Sequence, residues 1–168
     1  MKIDLAKSEI IHFVGIGGIG MSGLALIMHG MGFQIQGSDI SSNKNIERLK
    51  KKKIKISIGH NKRNINTAPV LVISSAIKKN NPEFKEGKMK NLPIYKRGEM
   101  LGHIASLTKN ITVVGSHGKT TTTSLIASIF SKTKIDPTIV NGGVLNSFNS
   151  SARLGNSNWS ILELDESD

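Results

Sequence analysis

Two glycine-rich segments of this chain have the composition and spacing of loops that bind phosphate. The first, Gly15-Ile16-Gly17-Gly18-Ile19-Gly20, matches the pattern G-x-G-x-x-G between an apolar segment and a helix-forming one. Its glycines permit a tight turn, so that backbone N–H groups at the start of the helix can approach a pyrophosphate. In such folds an acidic residue about 20 positions after the loop binds ribose hydroxyls, and Asp39 occupies that position. We therefore predict a site for a dinucleotide-like ligand.

The second segment contains the Gly-Lys-Thr core of a nucleoside triphosphate loop. In such loops the lysine reaches the β- and γ-phosphates, and the hydroxyl of the next residue binds Mg²⁺. Val113 stands where the full pattern has its first glycine, so this loop is a shortened variant. We predict Lys119 as the catalytic group and give His117 a role in loop shape rather than in proton transfer. The predicted ATP-binding residues are Gly115, Ser116, His117, Gly118, Lys119, Thr120 and Thr121.

Carboxylates lie at the end of the last apolar segment, at Glu163 and within 165–168. Hard oxygen ligands beside a phosphate loop suit Mg²⁺ that bridges ATP phosphates. An isolated acidic cluster is more often a solvated loop, and only one or two of these carboxylates can be ligands. Glu163 alternates with Leu162 and Leu164, so it projects from a strand, and we favour a metal site that includes Thr120.

Strands and helices must alternate to position these groups. Helices are predicted over 22–31, 45–53, 97–107 and 120–131, with a loop over 79–93. Strands are predicted over 10–14, 33–38, 54–58, 70–74, 111–114, 138–140 and 160–164. This alternation is typical of a doubly wound α/β fold. His60 follows one predicted strand end, where ligands bind in such sheets, although an ordinary loop histidine fits the position equally well.

The pattern restarts near 108–110, which divides the chain into a Rossmann-like parallel-sheet unit (1–108) and the start of a P-loop-type α/β ATPase unit (109–168). The second unit is short for an α/β domain and ends directly after a strand, so we expect a truncated chain. We also expect the two loops to open into one cleft.

Composition excludes several classes of protein. The 168 residues are 38% hydrophobic and contain no cysteine, which rules out a disulfide framework, a thiolate metal cluster and a cysteine nucleophile. We find neither an apolar run of ~20 residues nor a secretory signal, and we predict a cytoplasmic protein without membrane insertion. The net charge of +11 comes from dispersed lysines, and aromatic residues are only 4%. This favours a solvated surface over a nucleic-acid partner.

The motifs, in their order, closely resemble those of the bacterial Mur ligases. The resemblance rests on the segments 11–23, 37–39, 74–77, 97–101, 115–122 and 163–168. Serine at 116 and leucine at 164 depart from the residues usual in the family, and neither change removes a phosphate or metal group. The large departure is length, because family members continue into a longer ATPase domain and a further domain.

The resemblance implies an ATP- and Mg²⁺-dependent ligase of peptidoglycan synthesis that joins L-alanine to the carboxylate of UDP-N-acetylmuramate through an acyl phosphate. It implies that Thr120 and Glu163 hold Mg²⁺ and that the truncated chain is inactive alone. The alternatives are a related ligase that attaches a preformed peptide to the same nucleotide, or an NAD(P)-dependent oxidoreductase. The residues assigned to UDP-N-acetylmuramate are Gly15, Gly17, Gly18, Ile19, Gly20, Met21, Ser22, Asp39, His60, Ser74, Ser75 and Asn141.

Overall fold

The first sheet is parallel throughout, as the sequence predicts. The computed structural model of the protein describes residues 3, 5–145 and 150–164. The sheet has five strands: β1 (Ile10–Val14), β2 (Gln34–Asp39), β3 (Lys55–Ile58), β4 (Val70–Ile73) and β5 (Ile94–Lys96). Their order is β3-β2-β1-β4-β5, so β2 and β3 extend the sheet on one side of β1, and β4 and β5 extend it on the other. This confirms the α/β fold class and places the carboxyl ends of all five strands at one edge.

Four α-helices connect the strands of the first sheet or follow them. They are α1 (Ile19–Gly30), α2 (Lys44–Lys51), α3 (Pro82–Met89) and α4 (Arg97–Leu107), and a short 3₁₀ helix spans Lys62–Ile65. Helix α1 buries residues around most of its circumference, including Leu24 and Met28, which are fully buried. A helix with such a wide apolar surface must be covered on more than one side.

The prediction of a loop over 79–93 is wrong, because this segment contains α3. Asn81 caps the helix, since its side-chain oxygen accepts from the N–H groups of Glu83 (2.9 Å) and Phe84 (3.2 Å). Pro82 suits the first helical turn, where no N–H partner is needed. The helix buries Glu83 and Gly87 rather than an apolar stripe. Apolar periodicity therefore gave no sign of it. Strand β5, which begins directly after the same segment, was also missed.

The second sheet is mixed. It contains β6 (Lys109–Val113), β7 (Thr138–Leu145), β8 (Ser150–Arg153) and β9 (Trp159–Glu163) in the order β6-β9-β7-β8, and α5 (Lys119–Ser131) follows β6. Strands β6, β9 and β7 are parallel, whereas β8 returns antiparallel to β7. The sequence prediction missed β8 and ended β7 five residues early, because the Asn-Gly-Gly segment that follows Val140 is typical of a turn.

Helix α1 lies between the two sheets. Its residues Ile27 and Met28 belong to the same buried cluster as Val140, Ala152 and Leu162 of the second sheet. This shared core explains why α1 is apolar around most of its circumference. Among the described residues, none of the helices has the length and apolar character that crossing a bilayer requires.

Candidate functional site

The first glycine loop is held rigidly from the neighbouring strand and helix. The N–H groups of Gly15 and Ile16 both donate to the carbonyl of Ser38, at 2.9 and 3.0 Å. The N–H of Gly17 donates to Asp39 Oδ2 at 2.8 Å, and its carbonyl accepts from the side-chain amide of Asn43 at 3.2 Å. Asp39 therefore shapes the loop through a hydrogen bond in addition to facing the predicted ligand site.

Glycine is required at two positions of this loop, for different reasons. Gly15 has a φ of +81°, which L side chains rarely adopt. At Gly17 an added Cβ would lie 2.8 Å from Asn43 Nδ2 and 2.9 Å from Asp39 Oδ2. Those two side chains hold the loop, so any residue larger than glycine must displace its own support.

A cleft of about 500 Å³ opens over the carboxyl edge of the first sheet. Six of the lining residues are among those predicted from the sequence to bind the ligand: Gly15, Gly17, Gly18, Asp39, His60 and Ser74. Its other lining residues are Ile40, Ser41, Asn43, Ala76, Ile77, Lys78, Asn80 and Asn81. Those at 40–43 directly follow β2, and those at 76–78 lie three to five residues after β4, so nearness to a strand end is the signal that could have found them. Asn80 and Asn81 precede the helix that the sequence analysis missed.

Six other residues assigned to the ligand do not line this cleft. Met21 and Ser22 are buried in α1, and the Ser22 hydroxyl donates to the Ile19 carbonyl at 3.0 Å. Gly20 faces Arg97. The remaining three are Ile19, Ser75 and Asn141.

The position expected for Asn141 at a strand end is wrong, because β7 continues to Leu145. Asn141 is 1% exposed, and its amide oxygen and nitrogen have no hydrogen-bond partner in the part of the chain that the structure describes. An unpaired buried amide is costly. The contact proposed between Asn141 and the sugar nucleotide stays a prediction.

Beneath the cleft, a buried carboxylate is surrounded by hydrogen-bond donors, an arrangement that the sequence analysis missed. Glu83 is 0% exposed. Its Oε2 accepts from Ser38 Oγ at 2.5 Å and faces His12 Nε2 at 3.3 Å, while Oε1 accepts from Asn64 Nδ2 at 2.5 Å. Burial raises the pKa of Glu83, but the hydrogen bonds from His12, Ser38 and Asn64 outweigh it and lower this pKa to about 2.

This carboxylate makes stability depend on pH in acid. Because the folded pKa is below the ordinary value, the stabilisation is fully present above about pH 5 and is lost as the pH falls through about 2. A pKa near 2 corresponds to a contribution of about 3 kcal/mol to the free energy of unfolding. We expect that free energy, measured by urea unfolding, to decline over this interval, and the decline to be smaller in Glu83→Gln. The exposed Glu47→Gln is the control, and an equal change in both variants contradicts the assignment.

The second glycine loop joins β6 to α5. Gly118, which precedes the helix, has a φ of +74°. Lys119 Nζ donates to the Gly115 carbonyl at 2.6 Å, so the amine curls back into the loop rather than entering the core. Ser116 and His117 are exposed.

Sheet register brings this loop to Glu163. Val113, the last residue of β6, lies opposite Glu163, the last residue of β9. Thr120 Oγ1 donates to Glu163 Oε1 at 3.0 Å, across 43 residues of sequence. A hydroxyl and a carboxylate oxygen placed together beside a phosphate loop are the donor set that Mg²⁺ prefers, so these residues fit the ion. Positions 165–168, the other predicted acidic candidates, lie outside the described residues.

The cleft over the first sheet is lined by the first loop and not by any described residue of the second loop, and the expected common cleft stays a prediction. Among the described residues, those that line this cleft all belong to 15–81. Each loop nevertheless lies at the carboxyl ends of its own parallel strands. The protein is thus of the α/β class, with a G-x-G-x-x-G loop on one sheet and a Gly-Lys-Thr loop on the other.

Residues 10–109 match the model of the Mur ligase family, catalytic domain. The chain therefore belongs to the Mur ligase family. It is 75% identical over all 168 residues to the UDP-N-acetylmuramate–L-alanine ligase of Pelagibacter ubique, of which it spans 36%. It is 51% identical to the ligase of the same name from Bartonella bacilliformis, of which it spans 35%.

Two solved structures resemble the fold closely. The UDP-N-acetylmuramate–alanine ligase of Thermotoga maritima is 33% identical with a TM-score of 0.81, and the match covers 94% of this chain and 37% of that one. The UDP-N-acetylmuramate:L-alanyl-gamma-D-glutamyl-meso-diaminopimelate ligase of Neisseria meningitides is 28% identical with a TM-score of 0.84, covering 94% of this chain and 53% of that one. These similarities do not favour the oxidoreductase alternative.

Proposed function

We propose that this chain carries the sugar-nucleotide site and the phosphate loop of an ATP- and Mg²⁺-dependent ligase. The reaction joins L-alanine to the carboxylate of UDP-N-acetylmuramate in peptidoglycan synthesis. The observation that carries the proposal is the presence of two phosphate-binding loops on two sheets of one chain. An enzyme that uses ATP to activate a nucleotide-linked substrate needs both, whereas an oxidoreductase needs only the first. The names of the relatives supply the substrate.

The first unit, 1–108, supplies the sugar-nucleotide site. The diphosphate of UDP-N-acetylmuramate lies against the loop at Gly15–Gly18 and the positive end of the α1 dipole. Asp39 and His60 face the nucleoside from the ends of β2 and β3. Glycine at 15, 17 and 18 lets the backbone of the loop approach the diphosphate closely, and the one larger side chain, Ile16, is buried.

The second unit, from 109 onward, supplies the energy donor. Lys119 neutralises the triphosphate, and Thr120 with Glu163 holds Mg²⁺. The ion supplies charge stabilisation for transfer of the γ-phosphate to the substrate carboxylate. The chain's own residues position the triphosphate, since phosphoryl transfer depends mainly on positioning and on charge. The substrates are all small and water-soluble, and we propose that the protein acts in the cytoplasm.

The sugar-nucleotide assignment is tested by isothermal calorimetry with UDP-N-acetylmuramate. We expect the protein to bind it, and Gly17→Ala to weaken binding about tenfold or more, because the new methyl group displaces Asp39 and Asn43 from the loop. Gly102→Ala is the matched control, since a Cβ there meets nothing within 4 Å.

A melting curve for each variant separates loss of the site from loss of the fold. If the folded wild-type protein gives no heat with this ligand, the assignment of the cleft fails. Equal affinity in Gly17→Ala and the wild type contradicts the role given to the loop.

A further inference from the structure

We propose that Glu83, acting through Ser38, is a positioning residue that holds His60 with its proton on Nδ1. Nε2 of His60 then has a free lone pair that faces the cleft. It can accept a hydrogen bond from an N–H group on the base of the bound nucleotide. The identity of this ligand rests on the proposed function, whereas the protonation of His60 follows from the hydrogen bonds of the protein alone.

The donors and acceptors of the hydrogen bonds around Glu83 can be assigned one after another, starting from the backbone carbonyl of Asn64. Gln36 Nε2 lies 3.1 Å from the carbonyl oxygen of Asn64, which can only accept, so this atom is the amide nitrogen. The same nitrogen lies 3.2 Å from His12 Nδ1, which must therefore be the accepting ring atom. A neutral His12 then carries its proton on Nε2 and donates it to Glu83 Oε2 at 3.3 Å.

Glu83 is saturated with donors and is therefore ionised. Besides His12, it accepts from the Ser38 hydroxyl and, through Oε1, from the N–H of Asn61 at 3.1 Å and from Asn64 Nδ2. A carboxylate can only accept, so the single hydroxyl hydrogen of Ser38 points to Glu83, at an O···O distance of 2.5 Å. Ser38 is fully buried and has no second hydrogen to donate.

The proton on His60 follows from this. Nδ1 of His60 lies 3.0 Å from Ser38 Oγ, and because that oxygen has already donated its hydrogen it must accept here. Nδ1 also lies 3.4 Å from Glu83 Oε2, a second acceptor. Both neighbours demand a proton on Nδ1, which leaves Nε2 of the neutral imidazole as an acceptor.

The place of His60 in the sheet indicates what this acceptor contacts. The diphosphate loop follows β1, Asp39 ends β2, and His60 follows β3, in the sheet order β3-β2-β1. A nucleotide with its diphosphate at α1 and its ribose near Asp39 directs its base toward β3. The His60 side chain is 12% exposed and lines the cleft, and no described residue hydrogen-bonds to its Nε2. Uracil presents an N3–H donor there, whereas N3 of cytosine is itself an acceptor.

The first measurement needs no ligand. Long-range ¹H–¹⁵N NMR of the free protein near neutral pH is expected to show protonated Nδ1 and unprotonated Nε2 for His60. In Glu83→Gln and in Ser38→Ala this preference is expected to weaken, because each change removes the carboxylate or the hydroxyl that faces Nδ1. If Glu83→Gln does not fold, Ser38→Ala still tests the proposal, because it keeps the carboxylate. Glu86→Gln, on the same helix, is the control. A proton on Nε2 in the wild type, or an unchanged tautomer in both variants, overturns the proposal.

The second measurement compares UDP with its N3-methyl derivative and with CDP. The wild-type protein is expected to bind UDP about tenfold or more tightly than either, and the difference is expected to shrink in Ser38→Ala. Equal binding of UDP and N3-methyl-UDP overturns the part assigned to the base. Failure of the wild type to bind UDP at all contradicts the proposed function, while the tautomer measured without ligand still stands or falls by itself.

Discussion

Replacing Lys119 by methionine is expected to lower kcat by about 10²- to 10³-fold, the loss typical when one charged group is removed from a developing transition-state charge. The amine already lies within the loop, 2.6 Å from the Gly115 carbonyl, so it is placed where a triphosphate would displace that contact. Methionine keeps the length and apolar character of the side chain. The loss can therefore be assigned to the charge.

This result is measured as ADP release dependent on L-alanine and UDP-N-acetylmuramate, in a protein of the relatives' full length that contains these residues. The KM for the sugar nucleotide is expected to be unchanged, because the described residues that line the first cleft all lie within 15–81. Lys132→Met, at the exposed far end of α5, is the control. A kcat within a few-fold of the wild type would remove Lys119 from the proposed mechanism.

Replacing Glu163 by glutamine is expected to raise the Mg²⁺ concentration needed for half-maximal turnover by about 10- to 100-fold. In the wild type, Thr120 Oγ1 donates to Glu163 Oε1 at 3.0 Å, and a glutamine side chain can still accept this hydrogen bond. It lacks the negative charge that a divalent cation requires. A magnesium titration of the initial rate in the same protein measures the change.

Glu47→Gln, on the exposed face of α2, controls for loss of a surface charge. If Glu163→Gln leaves the magnesium dependence unaltered and only lowers the melting temperature, Glu163 positions Thr120 and does not hold the ion. Thr120→Val then tests whether the hydroxyl acts alone.

Local sequence was sufficient where one segment carries its own signal. The loop at Gly15–Gly20 and the Gly-Lys-Thr loop were located correctly because glycine spacing and an adjacent apolar strand are properties of neighbouring residues. The same patterns predicted the parallel sheet and most helices to within three residues. Helix α3 was not predicted, because its only local signals are a cap at Asn81 and a proline, and it has no apolar stripe.

Contacts between distant segments could not be derived in this way. Glu83 resembles any charged residue of a polar segment, yet the fold buries it between His12 and Ser38, which come from two other strands. His60 was identified by its position at a strand end, but the orientation of its ring depends on those same partners. No local pattern encodes which donors will surround a carboxylate.

The sequence by itself therefore determined the presence of two glycine-rich loops with phosphate-loop motifs, most of the strands and helices that flank them, and the family to which the chain belongs. The tertiary structure alone decided that α1 is shared between two sheets and that the described cleft lies over the first. It also decided that the buried Glu83 and Ser38 contact the ring of His60, which lines the cleft. The physical reason is that turns and caps arise from neighbouring residues, whereas burial and hydrogen-bond direction arise from residues far apart in sequence that only the packed chain brings together.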